Sequence, residues 1–242
     1  VGIYDDENGT DDAVVLIYRR TGTEWRCSQL IADIGPQHPA RRGTRTSFGS
    51  AVALCGGHLF IGAKSGVAHA GSSAGKVYAL VDNGATFEER DVLLPDAGVP
   101  DTTQFGATIS ATAEHLVVGS GGKDAIYRAS FFRLEEGKWI NALNFKCPDV
   151  DGETIEGVST AIHGDYAVIG APGRFEDGGV GGSVHLFAYK DWRWSLQSSC
   201  RGEDLGALNF ERFGTAVAMN ADNVFIGAPN AEYNWNAGRV FV

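Results

Sequence analysis

Apolar residues along this chain come in short runs, and glycine, asparagine or aspartate closes nearly every one. Ser50–Leu54 is a run of β formers, followed by the tight turn Cys55-Gly56-Gly57-His58. Leu59-Phe60-Ile61 is wholly apolar and stops at Gly62. A Gly/Ser-rich loop, 63–75, leads to Lys76-Val77-Tyr78-Ala79-Leu80-Val81. Asp82-Asn83-Gly84 then turns the chain into a more charged run, Thr86–Leu94. Runs of this length rich in Val, Ile, Phe and Tyr and bounded by turn formers are strand signals. Asn-Gly between two of them is the strongest short hairpin signal. No segment holds a sustained helical period with caps at its ends.

The same order of strands recurs. Phe48-Gly49 … Ile61-Gly62-Ala63 returns as Phe105-Gly106 … Val118-Gly119-Ser120. It returns again as Glu156-Gly157 … Ile169-Gly170-Ala171-Pro172 and as Phe213-Gly214 … Ile226-Gly227-Ala228-Pro229. The two glycines are 13 residues apart in every copy, and the copies start 57, 51 and 57 residues apart. A third strand recurs at 13–19, 76–81, 126–134, 183–189 and 239–242, and a fourth begins near Trp25, Phe87, Trp139 and Trp194. A fixed period of this size means one supersecondary unit used repeatedly. Some strands are continuously apolar and others alternate with charge, as in Phe87-Glu88-Glu89-Arg90-Asp91-Val92. The pattern predicts an all-β chain of four-stranded antiparallel sheets, each buried at one edge and wet at the other. Radial repetition of such sheets is a β-propeller.

The Phe-Gly pair, followed by Ile-Gly-Ala-Pro at 169–172 and 226–229, resembles the FG-GAP repeat. That repeat builds the seven-bladed propeller of integrin α subunits and of many secreted proteins. The resemblance covers nearly the whole chain and is nearer to the microbial variety, because Gly-Ser-Val-x-Leu-Phe (182–187) and a tryptophan-bearing strand follow the phrase. Two copies depart from it: Glu156 stands where the others have Phe, and Gly119-Ser120 replaces Gly-Ala. Integrin-type repeats often carry an Asp-x-Asp-x-Asp-Gly calcium loop between the first two strands. Here those turns read Cys55-Gly56-Gly57-His58, Thr112-Ala113-Glu114-His115, His163-Gly164-Asp165-Tyr166 and Asn220-Ala221-Asp222-Asn223. None supplies the oxygen ligands calcium takes. No cofactor is predicted, and calcium finds no support in these turns.

The units starting near 48, 105, 156 and 213 read as one domain over 1–242, four full repeats plus one overlapping strand. Val1-Gly2 matches the end of a second strand, and Val242 falls inside a third. A seven-bladed ring at this period needs roughly 400 residues. The expectation is therefore a part of a larger, seven-bladed ring, with a four- or five-bladed ring closed by its own termini as the alternative.

A net charge of −10 argues against nucleic acid as a partner. No apolar run approaches the roughly 20 residues of a membrane-crossing helix. Arg41, Arg42 and Arg45 form the one local basic cluster, either a solvated loop or a contact for an acidic ligand. Four cysteines allow three pairings. Cys147 and Cys200 follow the fourth strand at similar offsets in adjacent units, so they are the candidate disulfide. Asn8-Gly9-Thr10 is the only N-glycosylation sequon, which makes Asn8 a candidate for a glycan.

Most apparent chemistry dissolves into repeat positions. Gly71-Ser72-Ser73-Ala74-Gly75 has the form of a nucleophile elbow, but it lies between two strands with no helix after it. His58 and His115 share one repeat position and read as turn residues. Gly119–Asp124 lacks Walker spacing. Asp149-Val150-Asp151-Gly152-Glu153 resembles the start of a calcium loop, so Asp149, Asp151 and Glu153 are the candidate metal ligands, against the reading of a solvated turn.

The long connections, between strands two and three and between strands four and one, share one face of a propeller. Variable loops on a rigid scaffold are where binding resides. Tyr233 and Trp235, in the last such loop, are the candidate contact aromatics. The resemblance and the lack of a catalytic set point to a non-catalytic, extracellular propeller for cell-surface adhesion or structural assembly. Its partners would be a protein, a glycan or copies of itself. A glycan- or protein-binding module on the long-loop face is the first alternative. A hydrolase or lyase with its active site there, or in a further domain, is the second.

Overall fold

The computed structural model describes residues 2–3, 13–32, 46–66, 74–97, 103–122, 129–147, 158–172, 182–207, 212–229 and 238–242. Among them the strands form five antiparallel sheets, each from strands consecutive in sequence. The first sheet holds β1 (Gly2–Ile3), β2 (Val14–Thr21) and β3 (Glu24–Ala32). The second holds β4 (Phe48–Cys55), β5 (His58–Ala63), β6 (Lys76–Asp82) and β7 (Phe87–Leu93). The third is β8 (Phe105–Ala111), β9 (His115–Ser120), β10 (Ala129–Glu135) and β11 (Lys138–Phe145). The fourth is β12 (Ser159–His163), β13 (Tyr166–Ala171), β14 (Ser183–Lys190) and β15 (Arg193–Arg201). The fifth is β16 (Ala216–Met219), β17 (Val224–Ala228) and β18 (Arg239–Phe241). A 3-10 turn, Gly202–Leu205, follows β15, and no α-helix occurs among the described residues.

The all-β, propeller-like architecture predicted from the repeat is the one observed, and no sheet closes on itself. Strand order follows the chain in every sheet, so each strand lies antiparallel to the one before it. Where third and fourth strands pair, a bulge falls at one repeated place: Ile17/Tyr18, Ala79/Leu80, Phe131/Phe132 and Leu186/Phe187. A bulge adds local twist, which a radiating sheet needs. The first strands β4, β8, β12 and β16 stand side by side, as the inner edges of blades do. The buried band, however, runs through the second and third strands. β9 is buried throughout, while β4 and β12 are half-buried. An inner strand has only its neighbours' inner strands to cover it.

Four clusters of buried side chains hold the array together, one between each pair of successive sheets. Strand alternation makes this possible, because each sheet sends one set of side chains backward and the other forward. In the second sheet, Leu59, Ile61, Tyr78 and Leu80 pack back on the first. Phe60, Val77 and Ala79 pack forward on the third.

The recurring phrase forms the joint between sheets. Phe48, Phe105 and Phe213 are buried, each edge-on to an aromatic ring of its own sheet's third strand: Tyr78, Phe132 and Phe241. The next residue, Gly49, Gly106 or Gly214, has φ between +79° and +90°, where a side chain is strained. In Gly106 and Gly214 the carbonyl is thereby aimed at the preceding sheet. A Cβ at Gly62 would collide with the carbonyl oxygen of Gly106, and one at Gly170 with that of Gly214. The hydroxyls of Ser50 and Ser159 donate to those same carbonyls at 3.1 and 2.8 Å. The second glycine of one repeat is thus the seat for the first glycine of the next. Farther out, Phe105 N–H donates to the Ala74 carbonyl at 2.8 Å, a backbone bond between sheets.

Replacing Gly62 or Gly170 by Ala should destabilise the chain by about 1–3 kcal/mol, the usual cost of overpacking a close contact. Urea unfolding followed by tryptophan fluorescence measures this; unchanged midpoints would mean that the sheets do not meet at these glycines.

Candidate functional site

The first strand of a sheet enters, and the second leaves, at one end of the scaffold. Ser65 N–H donates to the Thr46 carbonyl and Gly122 N–H to the Thr103 carbonyl, each at 3.0 Å. The long connections on either side of these pairs are therefore anchored at a common end, as the sequence predicts. Ser47, Gln104 and Arg212 each precede the Phe-Gly pair with φ near +50°, an uncommon conformation for a residue with a side chain. The four-residue turns closed by Ser50 N–H to Ser47 O, Ala107 N–H to Gln104 O and Thr215 N–H to Arg212 O hold them there.

A polar cluster lies between the third and fourth sheets, just inside this end. Cys147 follows β11, and its Sγ lies 3.2 Å from His185 Nε2 and 3.9 Å from Ser183 Oγ. Ser183 Oγ is 3.0 Å from the same Nε2, and His185 Nδ1 is 2.8 Å from Ser199 Oγ. Thiol, imidazole and hydroxyl thus stand in the order of a nucleophile, its base and an orienting group. Burial decides against reactivity. His185 is 0% exposed and Cys147 is 4% exposed, so no reactant meets the thiol and no solvent supports a thiolate. The cluster is an internal polar joint, with the His185 ring tilted against Phe145 at 4.9 Å between ring centroids. The second sheet has a polar pair at the same two register positions. There Lys76 is buried with its Nζ 4.7 Å from the Tyr78 ring centroid, a cation–π contact.

The Cys147–Cys200 disulfide expected from sequence is not formed; none of the four cysteines is in a disulfide. The reason is strand alternation. Cys147 touches Ser183 and His185, which face the third sheet. Cys200 pairs with Val184, the residue between them, whose side chain packs toward the fifth sheet. Similar offsets along the chain nevertheless put the two thiols on opposite faces of the fourth sheet. Burial, and next the charge of Asp204, raise the pKa of the Cys200 thiol above its ordinary value.

His58 and His115 are not simple turn residues. Each opens a second strand and lays its ring against a tryptophan of the following sheet. His58 meets Trp139 at 5.5 Å, and His115 meets Trp194 at 5.2 Å, edge-on in both cases. Phe60 also meets Trp139 at 5.1 Å, and Phe131 meets Trp194 at 5.1 Å. Burial, the largest influence, pushes the His115 pKa down, although Asp165 at 3.6 Å and Glu114 pull it up. Between the first two sheets Arg19 takes this fastening role, with a two-pronged bond to Asp82 at 2.7 and 3.1 Å. Those bonds hold the Asp82 carboxyl below the usual carboxylate range.

The remaining predicted positions, Arg41, Arg42, Arg45, Asp149, Asp151, Glu153, Tyr233, Trp235 and the sequon at Asn8, lie outside the described residues. Among the described residues no group of three or more His, Cys, Asp or Glu could hold a metal ion. Among the described residues no helix is long and apolar enough to cross a membrane. Sequence reasoning missed the Cys147–His185 joint. The available signal was a histidine inside the apolar run Val184-His185-Leu186-Phe187.

Two outcomes follow from this geometry. A thiol reagent added to the native chain should label exposed Cys27 first, Cys55 and Cys200 more slowly, and Cys147 only after unfolding. Labelling of native Cys147 would mean that the joint opens. His115 binds a proton less readily folded than unfolded, so its contribution to stability is full above the ordinary imidazole pKa of about 6.5 and is lost as pH falls below it. A His115→Gln chain should therefore lose less thermal stability than the parent between pH 7 and about pH 5; equal losses would contradict the burial.

No family model matches the chain, and no curated protein matches it. Among solved structures it is similar to a triple arginine-to-alanine mutant of AofleA from Arthrobotrys oligospora, with a TM-score of 0.50 and 12% sequence identity. That likeness covers 96% of this chain and 63% of the other. The chain is also similar to leech intramolecular trans-sialidase complexed with 2,7-anhydro-Neu5Ac, with a TM-score of 0.42 and 10% identity, over 76% of this chain and 29% of the other. The chain thus spans less than two thirds of either protein's length. The AofleA likeness bears on the fold alone, and there it agrees with the propeller-like arrangement of the sheets.

Proposed function

We propose that this chain is a non-catalytic, extracellular β-propeller of the FG-GAP variety, serving cell-surface adhesion or structural assembly through its long-loop end. The observation that carries the reading is the division of labour in the scaffold. Side chains with chemical potential, Cys147, His185, Lys76 and His115, are buried between or within sheets, where they join the structure. The residues that flank the long connections are bonded together at one end of the scaffold, Ser65 to Thr46 and Gly122 to Thr103. Rigid repeats beneath variable loops suit binding a partner. The Phe-Gly and Gly-Ala-Pro phrase, whose glycines seat one sheet on the next, supports the FG-GAP assignment and with it the extracellular compartment.

A protein or glycan is the partner this reading calls for. The test is an array of glycans and extracellular matrix proteins probed with the purified chain, beside a panel of ester, phosphate and glycoside substrates. The expected result is retention on at least one array member, weakened roughly tenfold or more by the Tyr233→Ala, Trp235→Ala double change, with no turnover. Hydrolysis of any panel substrate by the pure chain would overturn the non-catalytic reading.

A further inference from the structure

The outer hairpin of the fourth sheet carries a tryptophan where its turn favours glycine. β14 and β15 are joined by the two-residue loop Asp191-Trp192, closed by the ladder pair Lys190 and Arg193. Both loop residues have positive φ, 50° and 64°. Such a loop takes glycine at its second position, because a bulky side chain is strained there. The third sheet follows that rule. Its matching loop is Glu136-Gly137, with φ of 47° and 78°, closed by Glu135 and Lys138. Trp192 gains no burial in exchange for its strain, since it is 81% exposed. Arg133 of the third sheet donates to the Trp192 carbonyl at 3.0 Å, so the loop is pinned in place. Backbone strain held at an exposed, pinned site points to function rather than to packing.

The rung behind the indole also departs from its counterpart. Glu135 and Lys138 face each other as opposite charges, whereas Lys190 and Arg193 are two cations directly opposite, an unfavourable pair. Among the described residues neither makes an ion pair. On a chain of net charge −10 this is a local reversal of sign. The exposure of this tip does not come from either end of the chain. The third sheet that pins it has all four strands, and Glu135 and Lys138 are exposed even with the fourth sheet in place beyond them.

We propose that this tip is a binding site for an acidic saccharide, at the end of the scaffold opposite the long connections. The C–H face of a sugar ring would lie on the Trp192 indole, with its carboxylate or sulfate beside Lys190 and Arg193. Asp191, the one carboxylate of the loop, would accept hydrogen bonds from sugar hydroxyls, which a bare anion lacks. An aromatic plane next to two cations complements a ligand with an apolar face and a negative charge. The polar residues around the indole suit a sugar better than a lipid surface, which takes a continuous apolar face.

This deepens the binding half of the proposed function and rests on that reading, but at a separate site, so the two can fail separately. The test is calorimetric titration of the 242-residue chain with polygalacturonate and heparin hexasaccharides. Neutral maltohexaose, inorganic sulfate and phosphatidylserine vesicles are the comparison probes. Binding of an acidic hexasaccharide is expected, tighter than that of maltohexaose and not reproduced by sulfate. Trp192→Gly should weaken it roughly tenfold or more, while the melting temperature holds or rises because glycine relieves the strained φ. Lys190→Glu, which restores the opposite charges of the third sheet, should weaken it similarly and flatten its salt dependence. The inference is overturned by a parent chain that binds neither acidic hexasaccharide, or by Trp192→Gly binding as the parent does. Tighter binding of maltohexaose, sulfate or vesicles would also overturn it. So would a lower melting temperature for Trp192→Gly, which would make the indole structural. The Tyr233→Ala, Trp235→Ala double change should leave this binding intact. Loss of binding in that double variant, with Trp192→Gly unaffected, would move the saccharide to the long-loop end and leave the proposed function standing.

Discussion

Where two sheets meet, the carbonyl of Gly106 lies against the Cα of Gly62, and that of Gly214 against Gly170, with no room for a methyl group between. Most of the architecture follows from that approach. It sets the distance between inner strands, so β4, β8, β12 and β16 can stand side by side. It also leaves the outer strands to diverge, and the wedge between sheets widens away from the joint. Side-chain size then has to grow outward. Alanines 51 and 53 lie near the glycines, and Phe60, Phe132 and Trp139 fill the space farther out. The positive φ of the Phe-Gly glycine and the buried phenylalanine before it aim the carbonyl that makes the contact.

The third junction is also tightly packed among the described residues. A Cβ at Gly119 would meet the Thr108 hydroxyl, with Val158 and Thr160 side chains next nearest at 3.3 Å. A hydroxyl link crosses between the sheets here as well: Ser110 Oγ donates to the Thr160 carbonyl at 2.8 Å.

The architecture was legible because the constraint is local in sequence. Two glycines 13 residues apart, repeated four times, announce the unit, and apolar runs between turn formers announce its strands. What joins one unit to the next was not legible. His58 finds Trp139 across a whole repeat, and nothing near His58 reveals that partner. The pairing of Cys147 with His185 rather than Cys200 depends on which face of β14 each residue sees, and one step along a strand reverses that face. The basic, acidic and aromatic loop candidates belong to segments whose sequence carries no strand period. Pattern reasoning could place them at one end of the scaffold but could give them no geometry.

The central claim is that successive sheets are fastened face to face by side chains of neighbouring repeats. A double-mutant cycle on Phe60→Leu and Trp139→Leu, read by urea unfolding, tests it most directly. These residues lie in different sheets and pack edge-on at 5.1 Å. The account predicts a coupling energy of about 0.5–1.5 kcal/mol, the range for aromatic pairs in contact. Strict additivity of the two changes would contradict it, because residues in separate, unpacked sheets have nothing to couple.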